Sequence, residues 1–505
     1  MATDFSSWII LFSSFIFLAT LWNLITQSKR RRSSANLPPG PIKLPVIGNL
    51  HNLISFRPPH RVLADLASKH GPMMHLQLGQ ISTVVVSSPN VAKEFLKTHD
   101  ITFANRPSFF ATEIICYGHS DIAFAPYGEY WRQLRKICTV ELLSARRVQS
   151  FRPIREEDFS NLCRWIASKE RSSVNLTEKI AMSTCDTVMR ACLGNKTDEH
   201  AQFISIVKES AELAAGFYIV DLYPSMAWFG KINGFKGRVE KVHKRADRIL
   251  GKILDDHKVA ASRKKEREDL ADVLLKYHKD SGHELQLTDD NIKAVLQDMF
   301  DAGIETSSAT ADWVMAELLR HPRVLKKAQD EVRQVFGDKG FVDESEFDEL
   351  KYLKLVIKET LRMHPPLPLL LPRESYEACE INGYKLPAKT RVMVNAWAIG
   401  RDPKIWKDAD SFIPERFLDG ISVDYTGKNF NYIPFGSGRR ICPGMTFGLA
   451  NIEHPLAMFL YHFDWVLPDG MKPEDLDMAE TIGVTSRRNH PLYVIPKMKN
   501  PLPLK

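Results

Sequence analysis

Cysteine is scarce and scattered in this chain: 505 residues contain seven, with no C-x-x-C pair and no histidine cluster at zinc-ligand spacing. A disulfide framework and a structural zinc site are therefore excluded. Glycine- and serine-rich linkers, low-complexity tracts and internal repeats are also lacking, so nothing divides the body into independent domains. Hydrophobic residues make up 44% and charged residues 26% of the chain, which is typical of a globular protein with a large core.

Surplus positive charge is small outside the N-terminus. The formal net charge is +7, and the run Lys-Arg-Arg-Arg at residues 29–32 supplies much of it. No long basic stripe with interleaved aromatic residues follows, as a nucleic-acid-binding surface would require. We therefore expect no nucleic-acid partner.

The longest uncharged hydrophobic segment lies at residues 8–26 and, at roughly 19 residues, is long enough to cross a bilayer as a helix. Asp4 precedes it and basic residues follow it, which is the reverse of a cleaved signal peptide. The positive-inside rule then places the N-terminus in a lumen and the body in the cytosol. The sequence predicts a membrane anchor with a basic stop over residues 1–36, and one folded body over residues 37–505 that starts at the stiff Leu-Pro-Pro-Gly-Pro segment.

Helical periodicity dominates the body from about residue 130 to 365, and shorter β-like runs lie at residues 73–78, 83–86 and 391–394. The body is therefore predicted to be mainly α with small β-sheets. One predicted helix is much longer than the others: Thr288 is its candidate N-cap, Asp289 and Asp290 complement its dipole, and its pattern continues to Arg320. The middle of this helix contains Gly303 and threonine, which stability alone would not select, so either a tight helix crossing or a functional groove is expected there.

A glycine-rich loop at residues 435–444, Phe-Gly-Ser-Gly-Arg-Arg-Ile-Cys-Pro-Gly, places Cys442 at the start of a further helical pattern. Backbone N–H groups and the helix dipole at that position are expected to lower the pKa of the Cys442 thiol. Arg439 and Arg440 add cations that bind carboxylates. The loop therefore suits a metal-bound thiolate beside an anion. A dinucleotide-binding loop is the alternative, but the third glycine and the preceding strand are missing.

The loop resembles the haem-binding loop of the cytochrome P450 haem-thiolate monooxygenases, which it matches at Phe435, Gly438, Arg440, Cys442 and Gly444. Other blocks agree in order and spacing. Residues 359–362 resemble the family's E-x-x-R pair, 412–417 its P-E-R-F segment, 131–135 its W-x-x-x-R helix, and 302–307 its oxygen-binding groove. The resemblance covers essentially the whole chain and implies the cytochrome P450 fold, with the catalytic domain over residues 37–505.

The resemblance also implies roles for individual residues. Thr306 and Glu305 would be catalytic and deliver protons. Cys442 would be the axial metal ligand of haem b, and the other residues expected to hold this cofactor are Trp131, Arg135, Arg373, Arg440, Phe435, Gly438, Gly444, Ala302 and Gly303. Glu359, Arg362 and Arg416 would form a buried charge cluster that locks the haem loop, whereas from spacing alone Glu359 and Arg362 are an i,i+3 surface pair.

Apolar residues near the groove are candidates for the wall of a pocket for a small hydrophobic substrate: Leu296, Met299, Leu367, Leu369, Leu370, Ile482 and Val484. Asp301 either faces away from the haem, which is the favoured interpretation, or contacts a cationic substrate nitrogen. Ile304 either narrows the pocket or has no role in it. His454 is expected on the surface of its helix.

Within the family, the chain resembles the A-type enzymes of plant specialised metabolism, in particular the seventy-one clan. This implies insertion of one oxygen atom from O2 into a C–H bond of a hydrophobic metabolite, with a sesquiterpenoid or diterpenoid favoured. NADPH electrons would arrive through a membrane-bound NADPH-cytochrome P450 reductase, with cytochrome b5 as a further candidate donor, at the endoplasmic reticulum membrane. Arg132, Lys136 and Arg439 either dock the reductase or form a solvated face.

Other functions stay open at this point. The chain could oxidise an alkaloid or a phenylpropanoid, or it could be a haem-thiolate isomerase or dehydratase that needs no reductase. A non-catalytic haem carrier and a membrane-tethered scaffold belong to different classes. The intact groove at Ala302, Gly303 and Thr306 argues against the isomerase and the carrier, and Cys442 with its arginines argues against the scaffold.

Overall fold

The computed structural model describes residues 36–194, 200–214, 216, 218–226, 228–232, 234–260, 268–278, 285–337, 339–418 and 423–503, together with the single position Ser14. The predicted anchor and its basic stop, residues 1–36, lie outside the described residues apart from Ser14 and Asn36. The domain boundary at residues 36 and 37 therefore stays a prediction. Among the helices in the described ranges, none is both long and apolar enough to cross a membrane.

Helices are the main element of the described molecule, as the periodicity predicts. They are α1 (Pro59–His70), α2 (Pro89–Lys93), α3 (Phe110–Ile115), α4 (Glu129–Ile137), α5 (Ala145–Ser150), α6 (Arg152–Ala167), α7 (Leu176–Leu193), α8 (His200–Leu213), α9 (Ile219–Leu222), α10 (Phe229–Ile232), α11 (Phe235–Ala260), α12 (Leu270–Leu275), α13 (Asp289–Arg320), α14 (Pro322–Phe336), α15 (Lys351–Met363), α16 (Ala396–Ile399) and α17 (Met445–His462).

The strands are short and form three small sheets. They are β1 (Met73–Leu78), β2 (Ile81–Val86), β3 (Val174–Asn175), β4 (Arg373–Glu374), β5 (Cys379–Ile381), β6 (Tyr384–Leu386), β7 (Arg391–Val394), β8 (Phe463–Val466) and β9 (Tyr493–Met498). The largest sheet has the order β1-β2-β7-β4, in which β2 and β7 run parallel and pair Val84 with Val392. The other sheets are β3-β9-β8 and the hairpin β5-β6. The three predicted strands are confirmed, and β2 begins two residues earlier than predicted because the tight turn after Leu78 brings Ile81 into register.

Helix α13 runs through the centre of the molecule and is the predicted long helix. Thr288 is its N-cap: the Thr288 hydroxyl accepts from the N–H of Asn291, and the Asn291 side chain accepts from the N–H of Thr288 in return. The helix continues for 32 residues and stops before Pro322, which cannot donate the next hydrogen bond.

The packing around α13 divides into two large apolar clusters. Residues 292–304 of the helix contribute to one cluster, and residues 311–319 contribute to the other. Between them, residues 305–310 belong to neither cluster. The small and polar residues predicted to mark a groove therefore interrupt the core at the middle of the helix.

His454 on α17 differs from its predicted place. Its ring is 1% exposed, stacks on Phe159 and pairs through Nδ1 with Glu344 at 3.1 Å. The expectation of a surface histidine is wrong because α6 and residues 344–347 cover this side of α17. Arg155, which is fully buried, bonds the same carboxylate and makes the burial of His454 electrostatically tolerable.

Candidate active site

A single cavity lies between the middle of α13 and the loop that precedes α17. Its wall brings together most of the residues that the sequence singled out. The wall residues are Leu96, Arg106, Ile122, Ala123, Arg135, Leu143, Asp298, Met299, Ala302, Gly303, Thr306, Ser307, Thr310, Leu361, Pro366, Leu367, Leu370, Leu371, Arg373, Val394, Pro434, Phe435, Gly436, Ser437, Arg440, Cys442, Pro443, Gly444, Phe447, Gly448 and Ile452.

Helix α13 presents one face to this cavity. Asp298, Ala302, Thr306 and Thr310 follow each other at four-residue steps and all lie on the wall. Since an α-helix turns about 100° per residue, residues four apart lie roughly above one another and form a stripe that shifts only gradually around the helix. The Thr306 hydroxyl donates to the carbonyl of Ala302 at 2.6 Å, which holds the side chain along the helix at the edge of the cavity.

The glycine-rich loop holds Cys442 at the opposite boundary of the cavity. The N–H of Cys442 donates to the carbonyl of Phe435 at 3.0 Å, and the Ser437 hydroxyl donates to the carbonyl of Gly427 at 2.6 Å. Gly438 has a φ of 71°, and a Cβ added there would lie 2.2 Å from the carbonyl oxygen of Leu96, so only glycine fits. Phe435 and Gly444 lie on the wall, whereas Gly438 supports the loop from behind.

The pKa of Cys442 moves in the direction opposite to the prediction. Burial raises the pKa of the Cys442 thiol, and the backbone N–H of Gly444 and the charge of Arg135 oppose this rise only in part. The prediction was wrong because it considered the helix end alone and left out the loss of solvent. A thiolate at this place therefore needs a compensating cation, and a bound metal ion provides one.

Four arginines line the cavity around the cysteine loop. Arg440 donates to the carbonyls of Ala104, Ile122 and Ala125, and Arg135 donates to the carbonyl of Ile441. Arg373 binds Asp100 at 2.7 Å and the carbonyl of Ser437 at 2.6 Å. The fourth guanidinium, that of Arg106, binds the carbonyls of Ala123, Leu371 and Pro372. Such a concentration of buried guanidinium groups suits an anionic, carboxylate-bearing ligand.

Trp131 is the one predicted haem contact from α4 that does not lie on the cavity wall. Its indole N–H donates to the carbonyl of Ile122 at 3.0 Å, and the Arg440 guanidinium stacks over its ring at 4.2 Å. Trp131 therefore orients Arg440 and the loop at Ile122 from behind the wall.

The residues present fit a haem group. The wall carries one thiol, from Cys442, beside four guanidinium groups and an otherwise largely apolar surface. This donor set suits a flat cofactor whose single metal takes one thiolate ligand and whose two carboxylates need cationic partners. Ala302 and Gly303 leave room on the side of the cavity formed by α13.

Behind the loop, Glu359, Arg362 and Arg416 form one buried cluster. Arg362 binds Glu359 through two hydrogen bonds of 2.7 and 2.9 Å, and Arg416 binds the same carboxylate at 2.9 Å. Arg362 also donates to the carbonyls of Gly400 and Ala409. The pair that spacing alone would place on a surface is thus fully buried, and the cluster ties α15 to residues 400–416.

Glu305 lies off the cavity wall. It is 6% exposed and pairs with Arg487 at 3.0 Å. Burial raises the pKa of Glu305, although the charge of Arg487 opposes the rise. Relative to Thr306, Glu305 is turned by about 100° around the helix, which directs it towards the segment that carries Arg487 rather than towards the cavity.

Leu296 and Asp301, both predicted pocket residues, do not lie on the wall of this cavity, and neither does Ile304. Asp301 and Ile304 are rotated by about 140° and 160° from Thr306 around α13, and neither lies on the wall. Asp301 instead accepts from Gln297 at 2.8 Å, which agrees with the favoured interpretation. Leu296 lies ten residues before Thr306, about 15 Å along the helix, and is buried in the apolar core.

Three further predicted pocket residues, Leu369, Ile482 and Val484, also lie off this wall. Leu369 packs beside Leu63 and Met393, while its neighbours Leu367 and Leu370 line the cavity. Ile482 is 59% exposed, and neither it nor Val484 reaches the wall. The segment 481–484 projects outwards because Glu480 before it is held by Arg61 and His60, and Ser486 after it is bonded to Pro366. Of the predicted pocket residues, Met299, Leu367 and Leu370 lie on the wall.

Sequence reasoning missed two charged wall residues, Arg106 and Asp298. Arg106 lies in an irregular loop, where no periodic pattern marks it. Asp298 could have been found, because it precedes Thr306 by two four-residue steps and hence shares its helix face. The side chain of Asp298 accepts from the N–H groups of Ile122 and Ala123 at 2.8 and 3.0 Å.

Comparison with known proteins agrees with this geometry. The family model for cytochrome P450 matches residues 38–493. The chain is 53% identical to salviol synthase from Salvia pomifera over all of both chains, and 54% identical to desmethyl-deoxy-podophyllotoxin synthase from Sinopodophyllum hexandrum over 97% of each. It is 51% identical to premnaspirodiene oxygenase from Hyoscyamus muticus, over 96% of this chain and 97% of the relative.

Solved structures share the fold as well. A zebra fish cytochrome P450, in a structure with progesterone, superposes with a TM-score of 0.75 at 26% identity, covering 87% of this chain and 99% of the other. A cysteine loop beside four arginines, a long helix with a groove and a family match over almost the whole body lead to one conclusion: the chain belongs to the cytochrome P450 family.

Proposed function

We propose that the chain is a membrane-anchored monooxygenase that inserts one oxygen atom from O2 into a C–H bond of a sesquiterpenoid or diterpenoid. As a cytochrome P450 it is an oxidoreductase that binds haem, uses O2 and receives electrons from a reductase. The observation that carries the proposal is the shared cavity, in which Cys442 and the α13 groove of Ala302, Gly303 and Thr306 line one space.

The apolar part of the cavity wall and the similar proteins both support this substrate class. Met299, Leu367, Leu370, Leu371 and Val394 give this wall an apolar surface on which a hydrocarbon skeleton is stabilised by leaving water. Salviol synthase and premnaspirodiene oxygenase are about half identical to the chain over nearly its full length. Both names describe oxidation or synthesis of terpenoid products, which favours a terpenoid here.

Haem ligated by Cys442 supplies oxygen activation and electron transfer when it is bound. The chain itself holds the reactants and controls protons. We assign Arg106, Arg135, Arg373 and Arg440 to the two haem carboxylates, and Thr306 to proton transfer at the α13 side of the cavity. Glu305 is the proton source in this proposal, and it must leave Arg487 to act, because the two groups are paired in the structure.

A second candidate is oxidation of a phenylpropanoid-derived substrate. It is favoured by the 54% identity to desmethyl-deoxy-podophyllotoxin synthase, which covers as much of the chain as the terpenoid relatives do. Both candidates need an apolar cavity, so a substrate panel has to separate them. An isomerase or dehydratase gains no support, because Thr306, the residue proposed for proton transfer, lies on the cavity wall beside Ala302 and Gly303.

The surface near the cysteine loop is proposed as the reductase-binding face, with cytochrome b5 as a second donor at the same place. Arg132 and Arg439 lie there, partly exposed, and each pairs with an acid of this chain. Exposed Lys136, Lys97 and Lys428 add positive charge around them. A basic face of this kind attracts an acidic partner and makes association sensitive to salt.

Membrane attachment of the body is proposed beside the predicted anchor. Ile54, Phe56, Trp228 and Ile232 are more than half exposed. Neighbouring residues link these parts of the chain, because the Tyr223 hydroxyl donates to the carbonyl of Val46 and the Gln80 side chain donates to the Ser225 hydroxyl. Exposed apolar side chains of this kind suit contact with a lipid surface. We therefore propose the endoplasmic reticulum membrane, with the body over residues 37–505 in the cytosol.

The first experiment is a CO difference spectrum of reduced microsomes that contain the full chain. A red-shifted Soret band of the thiolate type is expected. The same sample is then titrated with terpenoids, phenylpropanoids and alkaloids, and the change in haem spin state is recorded. Terpenoid-specific shifts followed by NADPH-dependent oxygenated products support the proposal. A thiolate-type band with shifts only for phenylpropanoids selects the second candidate, and turnover without O2 contradicts the monooxygenase.

A further inference from the structure

Asp298 is the only acidic side chain on the cavity wall among the described residues. The other charged wall groups are the four arginines, and each of them is already bonded to backbone carbonyls, with Arg373 also bonded to Asp100. A carboxyl group beside Met299, Ala302 and Leu370 in a largely apolar cavity is energetically costly unless it has hydrogen-bond partners. Asp298 is therefore the natural polar contact for a substrate bound in this cavity.

The two oxygens of Asp298 have different surroundings. Oδ2 accepts two hydrogen bonds, from the N–H of Ile122 and the N–H of Ala123. Within the described part of the chain, no hydrogen bond reaches Oδ1. The side chain is only partly buried, because the cavity gives access to it. The backbone thus holds one oxygen in place and leaves the other for a ligand.

A second buried carboxyl group lies behind Asp298. Oxygens of Asp121 and Asp298 and the sulphur of Cys116 lie within 4.8 Å of one another. Asp121 is fully buried, accepts from the N–H of Phe124 through Oδ2, and has no hydrogen bond at Oδ1 in the described ranges. Burial, and then the charge of Asp121, raises the pKa of Asp298 well above its usual range, and burial raises that of Asp121. The two carboxyl groups therefore lie close together in surroundings that disfavour ionising both of them.

We propose that Asp298 is the polar anchor of the substrate pocket and binds a hydroxyl group on an otherwise apolar substrate. This rests on the proposed monooxygenase function. A hydroxyl both donates and accepts, so it can bind the unbonded oxygen of Asp298 whether or not this carboxyl group carries a proton. A protonated amine is the competing ligand class, because an ionised Asp298 would also pair with it, and the test below separates the two. The proposal implies that the substrate already carries oxygen from an earlier hydroxylation or hydrolysis step.

The anchor also determines which end of the substrate is oxidised. Asp298 precedes Thr306 by eight residues, about 12 Å along α13. A substrate whose hydroxyl is held at Asp298 extends along the groove towards Thr306 and Cys442. The carbon to be oxidised is therefore distant from the existing hydroxyl, at the other end of the skeleton.

The test is a spin-state titration of the haem-loaded full-length enzyme with a bicyclic terpene hydrocarbon, its mono-alcohol and the corresponding primary amine. Wild type is expected to bind the alcohol about ten-fold more tightly than the hydrocarbon. One hydrogen bond to a charged acceptor contributes roughly this factor to the affinity. Asp298→Asn should abolish most of this preference and leave the affinity for the hydrocarbon nearly unchanged. Asp301→Asn is the matched control, since that carboxyl lies on the same helix but off the wall, and it should retain the preference.

Asp121→Asn keeps the proposal testable if Asp298→Asn does not incorporate haem. It leaves Asp298 in place without a competing acid, so the preference for the alcohol should persist or increase. Equal binding of alcohol and hydrocarbon by wild type and by Asp121→Asn overturns the anchor, while the spin shifts themselves still support a monooxygenase. Tightest binding of the amine overturns the hydroxyl class. Absence of any spin shift from the panel, with an intact thiolate band, contradicts the proposed terpenoid function instead.

Discussion

Thr306 shows how one hydroxyl can have a function that its structural contacts do not explain. Among the described residues, its side chain forms a hydrogen bond only with the carbonyl of Ala302, one turn earlier in its own helix. Such a bond contributes little to helix stability. We predict that Thr306→Ala folds normally and consumes NADPH, but forms at least ~ten-fold less product per NADPH, because proton delivery is lost. The measurement is the ratio of product formed to NADPH consumed.

Ser308→Ala is the matched control for this prediction. The Ser308 hydroxyl makes the same kind of bond, to the carbonyl of Ile304 at 2.7 Å, but it lies off the cavity wall. This variant should couple NADPH to product as wild type does, and Thr306→Ser should restore much of the coupling. Full coupling in Thr306→Ala would remove Thr306 from proton transfer.

Cys442 is the second residue whose role a single substitution can test. Burial raises the pKa of its thiol, so a bound iron is needed to keep the thiolate. Cys442→Ser is predicted to lose the red-shifted band in the reduced CO spectrum, because a serine oxygen does not donate charge to iron as a thiolate does. Cys379→Ser, at a partly exposed cysteine in β5, should keep the band. A Cys442→Ser variant with an unchanged spectrum would refute the ligand assignment.

At the scale of the element, Gly303 and Gly438 have opposite reasons for being glycine. A Cβ on Gly303 would meet Val188 and Phe447 at 3.5 to 3.7 Å, which is ordinary contact, so no tight helix crossing explains this residue. Gly303→Ala is therefore predicted to raise the free energy of unfolding by about 1 kcal/mol through helix propensity. Gly438→Ala should lower it and lose haem, because φ is 71° and the added carbon would lie 2.2 Å from Leu96 O.

Denaturant unfolding of the loaded enzyme, with the Soret band as probe, measures both variants. Gly251→Ala on α11 is a control for propensity alone, since an added Cβ there meets no atom within 4 Å. It should stabilise the protein by a similar amount. A destabilised Gly303→Ala variant would show that packing, rather than the chemistry of the groove, selects this glycine.

Helix α15 is held to residues 400–416 by the cluster around Glu359. Removing one member leaves a buried charge without its partner, which costs about 3 to 5 kcal/mol. Arg362→Ala is thus predicted to lose most of the bound haem. Arg362→Lys should rescue little, because a single ammonium cannot replace the two-pronged contact with Glu359 and the bonds to Gly400 and Ala409.

The control for this cluster is Arg323→Ala. Arg323 pairs with Glu415 on the surface, where its side chain is 67% exposed. Surface pairs contribute 1 kcal/mol or less, so haem content and the unfolding midpoint should hardly change. Haem content by absorbance and the midpoint of denaturant unfolding decide the comparison. Equal losses in the two variants would contradict a locking role for Arg362.

At the scale of the whole molecule, buried carboxyl groups make stability depend on pH. Burial raises the pKa of Asp301 to about 7, although the hydrogen bond from Gln297 opposes the rise. The unfolded chain ionises this group near its ordinary value of about 3.9. The folded state therefore binds the proton more tightly, and stability falls as pH rises from about 4 to 7.

Asp301→Asn should remove this dependence. The variant is predicted to exceed wild type in unfolding free energy by ~1 to 2 kcal/mol at pH 8, and to equal it below pH 4. Asp330→Asn, at an exposed residue paired with Lys326, is the control and should show no such trend. Unfolding midpoints from pH 4 to 8 measure the effect. Equal gains at all pH values would contradict the buried titration.

Much of the architecture follows from local sequence. The 32-residue length of α13 and its Thr288 cap depend on neighbouring residues, and so do the strands at residues 73–78 and 391–394. The residues of the glycine-rich loop identify the family because backbone angles and ligand chemistry demand particular residue types within a few positions. A helical repeat of 3.6 residues would also have placed Asp298, rather than Asp301, on the face of Thr306.

Features that depend on contacts between residues far apart in sequence were decided only by the tertiary structure. The burial of His454, the pairing of Glu305 with Arg487 and the sign of the Cys442 pKa shift all come from chain segments far away in sequence. The same holds for Arg106 in its irregular loop and for the outward turn at Ile482. The sequence by itself determined the fold and the place of Cys442 in the glycine-rich loop, because local chemistry specifies them. The pocket wall and its charges were decided by packing, because burial and solvent loss are properties of the assembled core.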